Sequence, residues 1–326
     1  MNGIVYLLAR LLVAVLQALP LSLVARLGRF GGFLWWMLDF KHRTLVKKNL
    51  AAAFYQKGSG RIADITRETF QRIAENAFCA VKTASMSEQE LLNVCTVVGV
   101  VKLPKAGRPE SPSNVVGAVG HFGNFELYAR LAKPVTGWQA ATTYRGMNQP
   151  RLDALVQKLR ATSGCIFFER RRDAAALRDA LAKGGLFVGI LSDQHPNKGG
   201  VLVPFMGRES ATTTAPAVLA LRYDAPLFPV ICYRVALARW HVEIGDEISL
   251  KQDGRRRSVE QITADINQAF EAAIRRDPAN WFWVHNRWKK PRIKKGRVKS
   301  TSSEDAPAAD RAEAPDSPSI SDELPQ

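Results

Sequence analysis

A chain of 326 residues, 46% hydrophobic and 23% charged, is long enough to bury a substantial core and is excluded from the disordered and low-complexity classes. Its net charge of +16 understates the basicity of the body, because residues 300–326 hold seven acids against Arg311 alone. Such a body seeks polyanions, whether nucleic acid, anionic lipid headgroups or an acidic carrier protein. The four cysteines, Cys79, Cys95, Cys165 and Cys232, fit no CxxC or zinc spacing and read as reduced structural thiols.

Taken in order, residues 4–24 form an apolar run long enough to cross a bilayer, interrupted by Arg10, Gln17 and Pro20. A second apolar patch at residues 30–38 carries Trp35 and Trp36, a pair suited to a membrane interface. No basic side chain precedes Arg10 and no clear small-residue cleavage site follows, so a secretory leader fits poorly. The expectation is a membrane-associated helix within residues 1–40; the alternative is an N-terminal core hairpin. Basic residues cluster between positions 26 and 48, which by the positive-inside rule places the bulk of the chain on the cytoplasmic side.

Residues 41–54 and 61–84 have helical periodicity, the first with a basic face that reads as solvated or lipid-facing. Residues 114–120, rich in valine and glycine, read as a buried strand, after which Phe125, Leu127, Tyr128 and Leu131 recur at helical spacing. HFGNFE, residues 121–126, lies at the junction. Gly120 and Gly123 permit a tight bend, and Asn124 is a candidate N-cap. Glu126, in the first helical turn, is expected to reach back to one ring nitrogen of His121, leaving the other free as a general base. The bland alternative is a histidine and a glutamate that only satisfy a turn.

Beyond this junction the pattern alternates: strand 139–144, helix 150–161, strand 165–168, helix 173–183, strand 186–191. Alternation of this kind predicts an α/β sheet whose strand ends carry the site. Arg145 at a strand end is a candidate phosphate ligand, or a partner for Asp153. The charged turn at 169–173 offers Arg170 and Arg171, or is a solvated loop. Asp193 and Gln194 directly follow a strand; Asp193 with His195 makes only two ligands for a metal, and hydrogen-bonding support of the site is the preferred reading. Residues 258–276 predict an amphipathic helix after the polar loop of Arg255, Arg256 and Arg257. The segment WFWVHNRWK at 281–289 is able to stack nucleotides, the best case for RNA binding, or to pack and present a basic surface. No GxSxG elbow is present to support a lipid hydrolase. Residues 300–326, rich in alanine, proline, serine and acids, are expected to be disordered.

These motifs, in this order, resemble a known family. HFGNFE resembles the HxxxxD/E motif of glycerolipid acyltransferases, and its GHFGN-aromatic-E form is similar to the bacterial lipid A biosynthesis acyltransferase family, the late lauroyl and myristoyl transferases. The resemblance extends over residues 4–292 through HR…NL…AF (with Tyr55 where a proline is usual), TYR…N…LDAL from Thr143, DQ…G…VPF.G from Asp193, the threonine-rich helix entry at 211–214 and the aromatic-basic segment at 281–289. It implies an α/β fold, a mixed sheet flanked by helices and glycerolipid acyltransferase-like, with a membrane anchor at 1–40, an acyltransferase domain at 41–299 and a disordered acidic tail at 300–326. It further implies transfer of a fatty acyl group from an acyl carrier protein thioester, or alternatively a coenzyme A thioester, to a hydroxyl of a Kdo-bearing lipid A precursor, in lipopolysaccharide biosynthesis. The reaction is expected at the cytoplasmic face of the inner membrane, with no cofactor, metal or nucleic acid. His121 is then the general base oriented by Glu126, with Asn124, Arg145, Arg170, Arg171, Asp193 and Gln194 binding substrate or supporting the site. The competing readings are an acyltransferase acting on another lysolipid or glycolipid, and a non-catalytic membrane-surface binding protein, which has no need of the His121/Glu126 pair.

Overall fold

In the computed structural model, which describes residues 2–54, 58–108, 110–196 and 199–289, Pro20 decides the form of the N-terminus. Proline has no amide hydrogen to donate, so helix α1 (Asn2–Ala18) ends before it. The Pro20 carbonyl then accepts the amides of Leu23 and Val24 at 3.0 Å and starts α2 (Leu21–Leu38). Two helices therefore replace the spanning-length segment expected over residues 4–24, and no helix among the described residues is long and apolar enough to cross a membrane. Tyr55 and the acidic segment 300–326 lie outside the described residues.

Helix α3 (Phe40–Ala53) begins at Asp39, whose carboxylate caps the His42 amide at 3.0 Å, and α4 (Ser59–Thr83) follows. Helix α2 lies against α4 at backbone distance: a Cβ on Gly32 would stand 2.4 Å from the Phe70 carbonyl oxygen, and one on Gly28 2.7 Å from Glu75 Cα. Arg29 donates to Glu68 at 2.8 Å and reaches Glu75 at 3.4 Å. Glu75, fully buried, also accepts from Arg234 Nε at 2.8 Å and from the Ala238 amide at 3.1 Å. The first two helices are thus built into the body, and all described residues belong to one compact unit.

After the short α5 (Glu88–Leu92), opened by a Ser87/Glu90 capping box, come β1 (Cys95–Val98), β2 (Asn114–Val119), α6 (Leu127–Thr136), β3 (Gln139–Tyr144) and α7 (Pro150–Ala161). The chain continues through β4 (Ile166–Glu169), α8 (Ala174–Lys183), β5 (Leu186–Leu191), the hairpin β6 (Val201–Phe205) and β7 (Arg208–Thr212), and α9 (Ala215–Tyr223). It closes with β8 (Leu227–Ala236), β9 (Arg239–Ile244), the small hairpin β10 (Lys251–Gln252) and β11 (Arg255–Arg256), and α10 (Val259–Arg276). The central sheet has the order β1-β9-β8-β2-β5-β3-β4. Every pairing in it is parallel except β8 with β9, so the sheet is mixed, as expected. Strand β2 is buried along its whole length, as a strand covered on both faces must be. Its alternate residues feed two cores. Val116 and Ala118 join Leu50, Phe70, Phe270 and Trp283 on one side, while Val115 and Val119 join Leu16, Val24, Leu131, Phe187 and Trp240 on the other.

Candidate active site

Parallel pairing of β2 with β5 sets the site. The register places Val119 opposite Leu191, so the chain leaves both strands at the same level. His121 stands two residues beyond the end of β2 and Asp193 two beyond the end of β5, and the two meet. Asp193 Oδ1 lies 2.7 Å from His121 Nδ1, and Asp193 Oδ2 accepts the His121 amide at 2.8 Å and the Trp281 indole at 2.7 Å. Asp193 is fully buried. Burial by itself raises its pKa, but the facing His121 and the hydrogen bonds it accepts hold the carboxyl below its ordinary value. An ionised carboxylate on Nδ1 selects the Nδ1–H tautomer and leaves the Nε2 lone pair available as a proton acceptor. The side chain of His121 is 19% exposed and lines a cavity of about 290 Å³ with Ile73, Asn76, Ala77 and Ala80 of α4, the turn at 123–126, and Phe282. Phe125 and Phe282 flank the imidazole ring at 4.9 and 6.0 Å between centroids.

The expected contact from Glu126 to the imidazole is not formed. Glu126 precedes α6 as its N-terminal flanking residue, and its carboxylate takes a forked pair of hydrogen bonds from Arg160 Nε, at 3.2 Å, and Nη2. The Arg160 guanidinium in turn lies over the rings of Phe167 and Tyr144, at 5.3 and 6.0 Å. Glu126 still lines the cavity beside His121. Asn124 does not cap α6 with its side chain; it is buried, donates to Thr83 Oγ1 at 3.4 Å, and only its main-chain carbonyl receives the Leu127 amide. The amides of Phe125 and Glu126, at the entrance to α6, have no partner among the described residues, and both residues line the cavity. Gly123 is required for the turn: its φ is +50°, and a Cβ there would sit 2.5 Å from the Cys232 carbonyl oxygen.

Residues from the C-terminal segment hold this arrangement from the far side. The Gly123 amide donates to the Asn280 carbonyl at 3.1 Å, and Trp281 reaches Asp193. His285 Nε2 accepts the backbone amide of His195 at 3.0 Å, which ties down the loop bearing Asp193. Burial lowers the His285 pKa to about 4, so the ring stays neutral and keeps that lone pair. Arg287, fully buried, donates to Ser210 Oγ, the Ala211 carbonyl and Thr212 Oγ1 and stacks on Phe205 at 4.7 Å. Trp281, Trp283 and Trp288 are packed among one another and Phe205, which makes the segment read above as a candidate nucleotide-stacking surface a structural closure. These roles are invisible in spacing alone, because the partners lie 75 or more positions apart. Arg160 was legible only as one charge on a helix.

Arg145, Arg170 and Arg171 are all exposed, at the carboxyl ends of the neighbouring strands β3 and β4. Asp153 is not the partner of Arg145; it accepts the Met147 amide at 2.9 Å. Glu169, by contrast, is buried, and its carboxylate takes the amides of Gly146, Arg171 and Arg172 at 3.3, 2.8 and 3.0 Å. One acid thereby clips the two arginine-bearing loops together. Gln194 is half-buried beside Asp193. Asp193 commits its oxygens to His121 and Trp281, and no cluster of three or more potential metal ligands occurs among the described residues.

A histidine and a buried carboxylate meet at the carboxyl ends of adjacent parallel strands and open on a cavity, a geometry suited to proton transfer. No curated protein matches the chain. The family model described as bacterial lipid A biosynthesis acyltransferase matches residues 2–290, a span that includes His121, Glu126, Asp193 and the closing aromatic segment. The chain belongs to the bacterial lipid A biosynthesis acyltransferase family and is an O-acyltransferase.

Proposed function

We propose that the enzyme transfers a fatty acyl group from an acyl carrier protein thioester to a hydroxyl of a Kdo-bearing lipid A precursor, at the cytoplasmic face of the inner membrane. The observation that carries the reading is the His121–Asp193 pair, with Nδ1 held and Nε2 free at the cavity. A thioester is already an activated donor, so transfer to a hydroxyl needs a base, an oxyanion site and exclusion of water, and no protein nucleophile. His121 Nε2 takes the proton of the acceptor hydroxyl as its oxygen bonds to the thioester carbonyl carbon. Asp193 stabilises the imidazolium that results. The amides of Phe125 and Glu126 receive the oxyanion, the carbon–sulfur bond breaks, and His121 returns the proton to the departing thiolate. In this mechanism Asp193, not Glu126, fixes the tautomer, and the Glu126–Arg160 pair supplies a second polar wall that orients the incoming hydroxyl.

Both proposed substrates are anionic, and the body of the chain is basic. The exposed Arg145, Arg170 and Arg171 favour a phosphorylated acceptor over a neutral one. Mass spectrometry of lipid A from cells lacking the protein tests the assignment. The expected result is a lipid A lighter by one acyl group. An unchanged lipid A beside altered phospholipids or other glycolipids would transfer the proposal to a different acceptor.

A further inference from the structure

The face of α2 turned away from α4 carries an apolar row, bordered by the exposed Ser22 and Arg26. Leu23, Leu27, Phe30, Leu34 and Met37 follow one another at spacings of four and three residues and are all exposed, Phe30 by 61%; Leu38 and Phe40 extend the row. The opposite face, Val24, Ala25, Gly28 and Gly32, is the one buried against the body. On α1, Ile4, Leu7, Leu8, Leu11, Leu12 and Val15 are exposed in the same way. Soluble monomers rarely leave so long an apolar row in water.

We propose that α1 and α2 form an interfacial docking face that lies in the plane of an anionic lipid bilayer, with the apolar row sunk to the acyl boundary and no segment crossing. The proposal rests on the membrane association proposed above and specifies its mode. Charge selects the occupant. Arg10, Arg26, Lys41, Lys47 and Lys48 are exposed along α1, α2 and α3, whereas Asp39 is the single acid in residues 2–50. A second copy of the same face would bring like charges together; an anionic headgroup layer neutralises them. Construction excludes a crossing helix. One side of α2 is joined to α4 through Gly28, Gly32 and the Arg29–Glu68–Glu75 contacts, and α4 itself carries Arg72, bonded to Glu68 and Asp277. Lipid cannot surround a helix fixed in that way. Helix α4 also walls the His121 cavity through Ile73, Asn76 and Ala77, so a single helix separates the docking face from the site, and a lipid acceptor can approach His121 while its chains remain in the interface.

The full-length protein, in buffer without detergent, is to be floated with sealed vesicles of phosphatidylcholine alone and of phosphatidylcholine with phosphatidylglycerol. The expected outcome is flotation with the phosphatidylglycerol vesicles, weak flotation with phosphatidylcholine, and release from both by alkaline carbonate. In single variants Gly3→Cys and Lys41→Cys, which flank the two helices outside the apolar row, a membrane-impermeant maleimide added outside should label both positions. The triple variant Leu27→Asp, Phe30→Asp, Leu34→Asp should bind vesicles at least about tenfold more weakly and keep its transfer to a detergent-dispersed acceptor, which separates loss of docking from failure of the catalytic reading. Resistance to carbonate with only one of the two cysteines labelled would show a crossing segment and overturn the proposal. So would equal binding to both vesicle types, unchanged binding by the triple variant, or a dimer in solution that the triple substitution dissolves. If the triple variant does not fold, the carbonate and labelling results decide alone.

Discussion

At the scale of single residues, the proposed chemistry depends on which carboxylate serves His121. Both oxygens of Asp193 are committed to the histidine and to Trp281, and Glu126 is committed to Arg160. His121→Ala is expected to abolish turnover while the protein stays folded, with native circular dichroism. Asp193→Asn should lower kcat by at least about a hundredfold, the scale of losing an oriented base, with a shifted pH–rate profile. Glu126→Gln should act mainly through KM, because it weakens a wall of the cavity without freeing the imidazole; equal kcat losses in the Glu126 and Asp193 variants would contradict this division. The His121 motif was readable in the sequence because it is local. Its true partner was not, since Asp193 is 72 positions away and is brought near only by the parallel register of β2 and β5.

His285 supplies a pH test at the same scale. Its pKa falls from an ordinary 6.5 when unfolded to about 4 in the fold, chiefly through burial. Between those values the unfolded chain binds the proton and the folded chain does not, so stability falls as the pH is lowered through this window. Asp193 acts further down: its folded pKa is depressed, and its contribution is lost as the pH falls below the ordinary carboxylate range. Glutamine at position 285 can still accept the His195 amide but cannot titrate. His285→Gln should therefore keep activity at neutral pH and flatten the stability curve from about pH 6.5 to 4, measured by urea denaturation, whereas His285→Ala should lose activity.

At the scale of elements, the strand and helix patterns over residues 139–161 and 186–191 were legible because a buried parallel strand and an amphipathic helix each write their period into the chain. The reversal of β8 into β9 and the β6–β7 hairpin were not, because strand pairing is a tertiary fact. Helix α2 is the instructive case. Its hydropathy reads as membrane anchor, yet Gly28 and Gly32 are the points at which α4 touches its backbone. Gly32→Leu should cost at least about 2 kcal/mol of folding stability, since the added atoms meet main chain rather than movable side chain; no loss in thermal denaturation would place α2 away from α4. At the ends of β3 and β4, Arg145→Ala and Arg171→Ala should raise KM for a phosphorylated acceptor several-fold at unchanged kcat and unchanged stability, because both side chains are exposed and contact no described acid. Steady-state kinetics with acceptor and donor varied separately checks this.

At the scale of the molecule, the described residues form one compact body in which the His121–Asp193 pair, a row of strand-end arginines and an apolar helical face are joined through α4 and the central sheet. Its basic charge was readable at once; that Arg29, Arg160, Arg234 and Arg287 are spent on internal contacts was not, because burial is decided by the whole fold. The enzyme is expected to transfer the acyl group directly to a lipid hydroxyl, with His121 as base. Purified enzyme, given an acyl carrier protein thioester and a Kdo-bearing lipid A precursor, should yield a product heavier by one acyl group in mass spectrometry, with no acyl-enzyme detected, and His121→Ala should yield none. Transfer by His121→Ala at the wild-type rate, or an acyl group trapped on the protein, would contradict it.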